Sequence, residues 1–228
     1  MTYDFYIGDR MFSSWSLRGW LLLERFAIAH RVHMVGLYSG TMAQDMAALA
    51  PARLVPTLRT PDGTIVGESL AIAETLAERH PEAGLWPTAP DARATARWLC
   101  AEMAAGFSAL RSDCPMQLRH CHVGFAPGQG VLADLDRLQQ LWAHARALSG
   151  SDTPWLFGAY CAADAFFVPV AARIIGYGLP VGDTAQAYCA ALLSDPPVQQ
   201  WRRLAQQVSY DPDPYALDLP TRPWPEWD

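Results

Sequence analysis

Charge is scarce in this chain: 18% of its 228 residues are charged, and the net charge is −6 with histidine neutral. No basic stripe is available to displace counterions from phosphates, which argues against a nucleic-acid partner. Long apolar runs are missing too, so no segment approaches a membrane span. Nor does the N-terminus carry a leader of charged, apolar and small residues in succession, so a cytoplasmic protein with no membrane partner is expected. Cysteine is odd in number, at Cys100, Cys114, Cys121, Cys161 and Cys189, and no pair has C-x-x-C spacing. Reduced structural thiols fit this better than a disulfide framework or a zinc site. The triplet His120-Cys121-His122 points its side chains in different directions on either a helix or a strand. No second ligand pair stands near it, and no metal is expected. Internal repeats and low-complexity tracts are also absent. What is present is a chain with 51% apolar residues, too apolar for disorder and long enough for one large domain or two small ones.

Residues 1–82 alternate between two hydrophobic periods. Tyr3 to Ile7 reads as a strand, and Ser14 to Ala29 as a helix with Leu17, Leu21 and Leu22 on one face. Arg31 to Leu37 alternates as a second strand with Val32, Met34 and Gly36 on one side. A helical piece from Thr41 to Leu49 leads to Pro51. Thr57 to Arg59 and Thr64 to Val66 flank the turn Pro61-Asp62-Gly63 and form a hairpin. Ser69 to His80 is a helix stopped by Pro81. The order βαβαββα is the thioredoxin-like layout. A proline-punctuated linker at 83–90 follows, and residues 91–228 read as an all-helical domain of about five helices, with Gly124 to Gly130 separating the first two long ones. The tail from Pro212 to Asp228, rich in proline and tryptophan, is expected to lie extended over the surface. The fold class is therefore α/β plus all-α.

Three local patterns carry chemistry. Phe12-Ser13-Ser14-Trp15-Ser16-Leu17-Arg18 sets a hydroxyl cluster at the N-terminus of the first helix, where N–H groups and the helix dipole favour a negative charge. A thiol-disulfide enzyme would place cysteine there, but none occurs in the first 99 residues. Leu54-Val55-Pro56-Thr57-Leu58 is an X-Pro turn entering a strand. Gly67-Glu68-Ser69-Leu70-Ala71-Ile72 opens a helix with an acid-serine pair. Each alone has a plain structural reading: a serine N-cap, a strand-entry proline, a helix cap with an acidic neighbour.

Together, in this order and at this spacing, the three patterns resemble glutathione transferases over nearly the whole chain. The similarity is nearest to the serine-type members, including the zeta-like ones. The resemblance implies a glutathione site formed by Phe12, Ser13, Ser14, Arg53, Leu54, Val55, Pro56, Glu68 and Ser69. Ser13 takes the first position of the Ser-Ser-x-Ser-x-Arg motif and is the first choice for the hydroxyl that holds the thiolate, with Ser14 the close second. Val55–Pro56 would be a cis peptide, with the Val55 backbone bound to the cysteinyl part. Ser69 would cap the third helix and grip the γ-glutamyl carboxylate, and Glu68 would face the ammonium. Many relatives carry Lys or Gln where this chain has Leu54, so the glycyl carboxylate would be left to Arg53 or Arg10.

The second-substrate pocket would draw on Phe12, Trp15, Met103, Phe107 and Arg111, the last placed to steer an acidic substrate. Relatives of a bacterial subgroup often have His where Ala104 stands. Trp155-Leu156-Phe157-Gly158 before Cys161 and Asp164 resembles the family's helix-capping box, with Cys161 in place of Ser or Thr and the cap weakened accordingly. The implied activity is attack by the glutathione thiolate on a small apolar electrophile, or glutathione-assisted isomerisation, with no metal or flavin. The implied assembly is a homodimer. The alternatives are a glutathione-binding peroxidase or reductase on the same fold, and a glutathione-binding or protein-interaction module with little or no catalysis.

Overall fold

A computed structural model describes residues 2–226 of the chain. Its N-terminal part is a thioredoxin-like domain. Strand β1 (Tyr3–Ile7) buries Tyr3, Phe5 and Ile7 on alternate positions, as a strand covered on one face must. It lies at the centre of a four-stranded sheet in the order β2-β1-β3-β4, parallel to β2 (His30–Met34) and antiparallel to β3 (Thr57–Arg59). Strand β4 (Ile65–Gly67) completes the hairpin, and Gly63 supplies the positive φ of 91° that its turn requires. Helix α1 (Ser14–Glu24) follows β1, a short α2 (Met42–Asp45) and a 3₁₀ turn follow β2, and α3 (Ser69–Arg79) closes the domain.

Two details differ from the sequence expectation. The first helix ends at Glu24 rather than Ala29, because Ala27 adopts a left-handed φ of 53° and the Ile28 N–H returns to the Leu23 carbonyl. Alanine is the best helix former, so nothing in its identity signals that reversal. The second strand stops at Met34 and lies at the sheet edge, leaving Met34 half exposed instead of on a buried side.

The C-terminal region is helical. Among the described residues it has six helices: α4 (Pro90–Ala105), α5 (Ser108–Asp113), α6 (Gln129–Ser149), α7 (Ala162–Tyr177), α8 (Asp183–Ser194) and α9 (Pro196–Ala205). The additional helix arises because the expected first long helix is broken. Phe107 sits at φ 56°, and a Cβ on Gly106 would lie 2.8 Å from the Glu102 carbonyl oxygen. A two-stranded ribbon, β5 (Cys121–His122) against β6 (Thr221–Arg222), was not readable from periodicity and ties down the tail expected to lie extended over the surface. Positions 227 and 228 of that tail fall outside the described residues. None of the described helices is long and apolar enough to cross a membrane. All five cysteines are buried and unpaired.

Helix α7 is the core of the region and is buried along its whole length. Its start depends on one carboxylate. Asp164 accepts hydrogen bonds from the N–H groups of Cys161 (2.9 Å) and Leu156 (3.2 Å) and from the Tyr188 hydroxyl (2.8 Å). The Cys161 thiol occupies the reciprocal position of the capping box. Removing Asp164 leaves three buried donors without an acceptor, each worth about 1–3 kcal/mol. We expect Asp164→Ala to lower unfolding stability by about 3 kcal/mol or more in urea titration, and Tyr188→Phe by about 1 kcal/mol. Equal losses in the two variants would show that the backbone caps contribute nothing.

Candidate active site

A cleft of about 710 Å³ opens between the thioredoxin-like domain and the helical region. The loop from β1 to α1 brings Phe12, Ser13, Ser14 and Trp15 to it. Ser13 is the N-cap of α1. Its Oγ accepts the Ser16 N–H at 3.3 Å and its hydroxyl donates to Ser16 Oγ at 2.7 Å. Ser16 Oγ also receives the Gly8 N–H at 3.0 Å, so a buried chain of hydroxyls leads from the main chain of Gly8 to Ser13. Ser14 is half-buried at the first helical position, and its hydroxyl has no partner among the described residues.

Leu54, Val55 and Pro56 form the next stretch of wall, and the Val55–Pro56 peptide is cis. Leu54 is 65% exposed; its carbonyl accepts from the Thr57 hydroxyl at 2.7 Å. Val55 makes no main-chain hydrogen bond among the described residues, so its peptide groups are free to meet a ligand. Glu68 and Ser69 complete the wall. Glu68 has φ 62° and ψ 126°, a region that L residues rarely occupy and that costs about 1–3 kcal/mol. It also holds the N-cap position expected for Ser69, which is instead the first residue of α3. Neither side chain caps. Ser69 Oγ is buried without a partner, and the helix N-terminus stays open toward the cleft. Such a terminus suits a carboxylate.

Four residues expected near the site lie elsewhere. Arg53 is exposed and does not line the cleft. Arg10 turns away, with Nη1 at 3.4 Å from Met34 Sδ and its guanidinium over the Trp201 ring. Met103 faces the core from within α4, and Phe107, just beyond the break at Gly106, is buried as well. The helical wall is made instead by Ala104, Ser108, Arg111 and Ser112, joined by Arg173 of α7. Tyr38, and Tyr215 from the tail, also line the cleft without having been foreseen.

The family model described as the glutathione S-transferase N-terminal domain matches residues 12–79. A probable maleylacetoacetate isomerase of Caenorhabditis elegans is 35% identical over 105 residues, 46% of this chain and 48% of that protein. A maleylacetoacetate isomerase of Dictyostelium discoideum is 35% identical over 85 residues, 37% of this chain and 38% of its own length. Residues 12–79 are thus similar to a glutathione S-transferase N-terminal domain. The chain's matches span half or less of these curated relatives. Among solved structures, a glutathione transferase homolog from Burkholderia with bound glutathione shares the fold with a TM-score of 0.68 and 24% identity, over 92% of this chain and 100% of that one. A theta class glutathione S-transferase from Xanthomonas axonopodis pv. citri with glutathione bound gives 0.60 and 24%, over 87% and 95%.

Within this transferase fold the helical wall carries an unusual electrostatic load. Arg111 and Arg173 line the cleft and Arg18 lies behind Trp15, yet none of the three pairs with a carboxylate among the described residues. Arg173 is 6% exposed; its Nε and Nη1 donate to the carbonyls of Cys114 (2.8 Å) and Pro169 (3.1 Å). Arg18 donates Nε to the Phe166 carbonyl at 3.0 Å and leaves Nη1 buried without a partner. The Trp15 ring faces both Arg18 (4.3 Å) and Arg111 (5.3 Å), so a π-face stands where an acid would be expected. Burial pulls Arg173 down from 12.5 to about 10, and burial with the charges of Arg173 and Arg111 pulls Arg18 to about 9. Both remain cations at neutral pH. A lone arginine inside the apolar run Phe166 to Tyr177 was the sequence signal for Arg173; nothing local marked Tyr215.

An anion entering the cleft would relieve this repulsion and so stabilise the fold. We expect sulfate to raise the thermal midpoint of the wild type more than that of Arg173→Met. The difference removes the general stabilisation that sulfate confers on any protein. Equal rises would show that Arg173 offers no anion site.

Proposed function

We propose that this protein is a glutathione-dependent enzyme that holds the tripeptide along the N-terminal wall and directs its thiolate at an acidic electrophile on the helical side. The observation that carries the reading is the convergence on one cleft of the hydroxyl-capped α1, the cis Val55–Pro56 peptide and the strained Glu68 before the unpartnered Ser69. Ser69 and the open end of α3 suit the γ-glutamyl carboxylate, Glu68 the ammonium, and the free peptide groups of Val55 the cysteinyl part. The electrophile expected from the sequence is apolar; the unpaired Arg111 and Arg173 favour one bearing a carboxylate. The relatives named maleylacetoacetate isomerases support isomerisation of an unsaturated acid as the reaction. The thiolate would add to the conjugated double bond, the resulting single bond would rotate, and the thiolate would leave unchanged.

Ser13 is the better-supported thiolate donor. Ser16 carries a proton with no acceptor of its own, so it can donate to Ser13 Oγ while the Ser13 proton turns to sulfur. Hydrogen bonds in series polarise one another, and the Gly8 N–H begins the series. Ser14 has no such backing.

Leu54 and the distance of Arg53 leave the glycyl end without a cation, which favours the second reading of a weak binding module. Retention on immobilised glutathione with no turnover of any acidic acceptor would establish that reading. The proposal also includes a cytoplasmic location, a domain boundary in 83–90 and a homodimer; sedimentation at 25.1 kDa over a wide concentration range would exclude the last.

Calorimetry at millimolar glutathione should give a heat of binding, and its absence in a folded sample would overturn the reading. Ser69→Ala should weaken that binding by about 1.5–3 kcal/mol, the worth of a hydrogen bond to a charged group. Ser13→Ala, and to a smaller degree Ser16→Ala, should raise the pKa of the bound thiol and lower turnover near neutral pH. The loss should shrink as pH rises toward the thiol's own value of about 8.5, because solvent then supplies the thiolate. If Ser14→Ala alone shows this profile, Ser14 is the donor.

A further inference from the structure

The segment after α9 carries two tyrosines across to the thioredoxin-like domain and is pinned on both sides of them. On the near side, Arg119 pairs with Asp211 at 2.7 Å and donates to the Val208 carbonyl at 2.8 Å. On the far side, β6 pairs with β5, the Val123 N–H donates to the Pro220 carbonyl at 2.8 Å, and Trp224 is buried. Between these anchors Tyr210 donates its hydroxyl to Asp9, and Tyr215 lies with its ring centroid 4.5 Å from that of Phe12. The hydroxyls of Tyr215 and Tyr38 are 2.7 Å apart, and both residues line the cleft.

Two phenols carry two protons, and their mutual bond uses one. The other has no acceptor within the described residues. The charged groups of the helical wall, Arg111 and Arg173, are donors only and cannot accept it. Of the two phenols Tyr215 is the more deeply set: Tyr38 is exposed, whereas Tyr215 is half-buried with its ring on Phe12. Burial and the bond to Tyr215 hold Tyr38 above the usual phenol value of 10, so Tyr38 stays protonated at neutral pH.

We propose that Tyr215, oriented by Tyr38, is a substrate-binding donor of the second subsite, with its O–H aimed at the oxygen of a carbonyl conjugated to the reacting carbon. When the thiolate forms its S–C bond, the π pair of the double bond moves onto that oxygen. Tyr215 meets the charge as it develops, and reversal returns the pair and releases the thiolate with no net proton transfer. A substrate of the kind that the named isomerases already imply, an α,β-unsaturated keto acid, would set its carboxylate on the arginine side and its carbonyl on the tyrosine side. The inference rests on the functional reading above, since it needs a second substrate in this cleft.

The test compares two acidic acceptors: an α,β-unsaturated keto acid, and a chloro-dinitrobenzoate, which sends its developing charge to nitro groups. Tyr215→Phe keeps the ring on Phe12. It should lower kcat/KM for the keto acid by about 10²-fold, as loss of one oxyanion donor does, and leave the aryl chloride within about 3-fold. Tyr38→Phe should lower the keto acid by about 10-fold, because Tyr215 keeps its proton but loses its orientation. Glutathione affinity by calorimetry should be unchanged in both variants. Equal losses on the two acceptors, or none, would overturn the proposal while glutathione still binds. A wild type that binds no glutathione would overturn the functional reading and this inference with it.

Discussion

Helix α1 has no free side, and the site depends on that. From Ser16 to Leu23 every residue is buried, with the sheet on one flank and α7 on the other. Gly19 makes the sheet side feasible: a Cβ there would lie 2.7 Å from the Phe5 ring and 3.1 Å from Pro56 Cγ. The helix therefore rests directly on the cis-proline turn. On the opposite side Arg18 bonds the Phe166 carbonyl, which fixes where the helical region stands. One helix thus sets the hydroxyl cluster, the proline turn and the arginine wall in a single frame.

That frame stores electrostatic energy. Burying a cation without an acid is among the costlier choices a fold can make. Here the compensation comes from backbone carbonyls at Phe166, Cys114 and Pro169 and from the face of Trp15, each worth little compared with a charge partner. Strain at Glu68 adds to the same account from the other wall. Sites that hold such unfavourable features give up stability for function, and the fully satisfied cap of α7 at Asp164 is one place where stability is regained.

The sequence was most readable where structure is local. The alternation of Tyr3, Phe5 and Ile7, the Pro61-Asp62-Gly63 turn and the Pro81 stop each act within a few residues, and each marks its element correctly. It was least readable where one residue adopts a left-handed conformation against its type. Ala27 ends a helix early, Phe107 divides another and Glu68 takes the cap position from Ser69. The motif triple named the N-terminal wall because each part is a short contiguous run and the three together resemble one family's pattern. Arg173 and Tyr215 approach the cleft from α7 and from beyond α9, and no window of sequence joins them to Ser13.

The cysteines acquire a second meaning in this setting. Burial raises the pKa of every one of the five thiols, and the chain contains no lysine, its cations all being arginines. The two side chains most readily alkylated are thus either sheltered and protonated or missing altogether. If the cleft takes an electrophile as proposed, these two features would spare the protein from alkylation by it. The same property makes the folded chain a blank background for covalent labelling, on which a single introduced surface thiol would be the one that reacts.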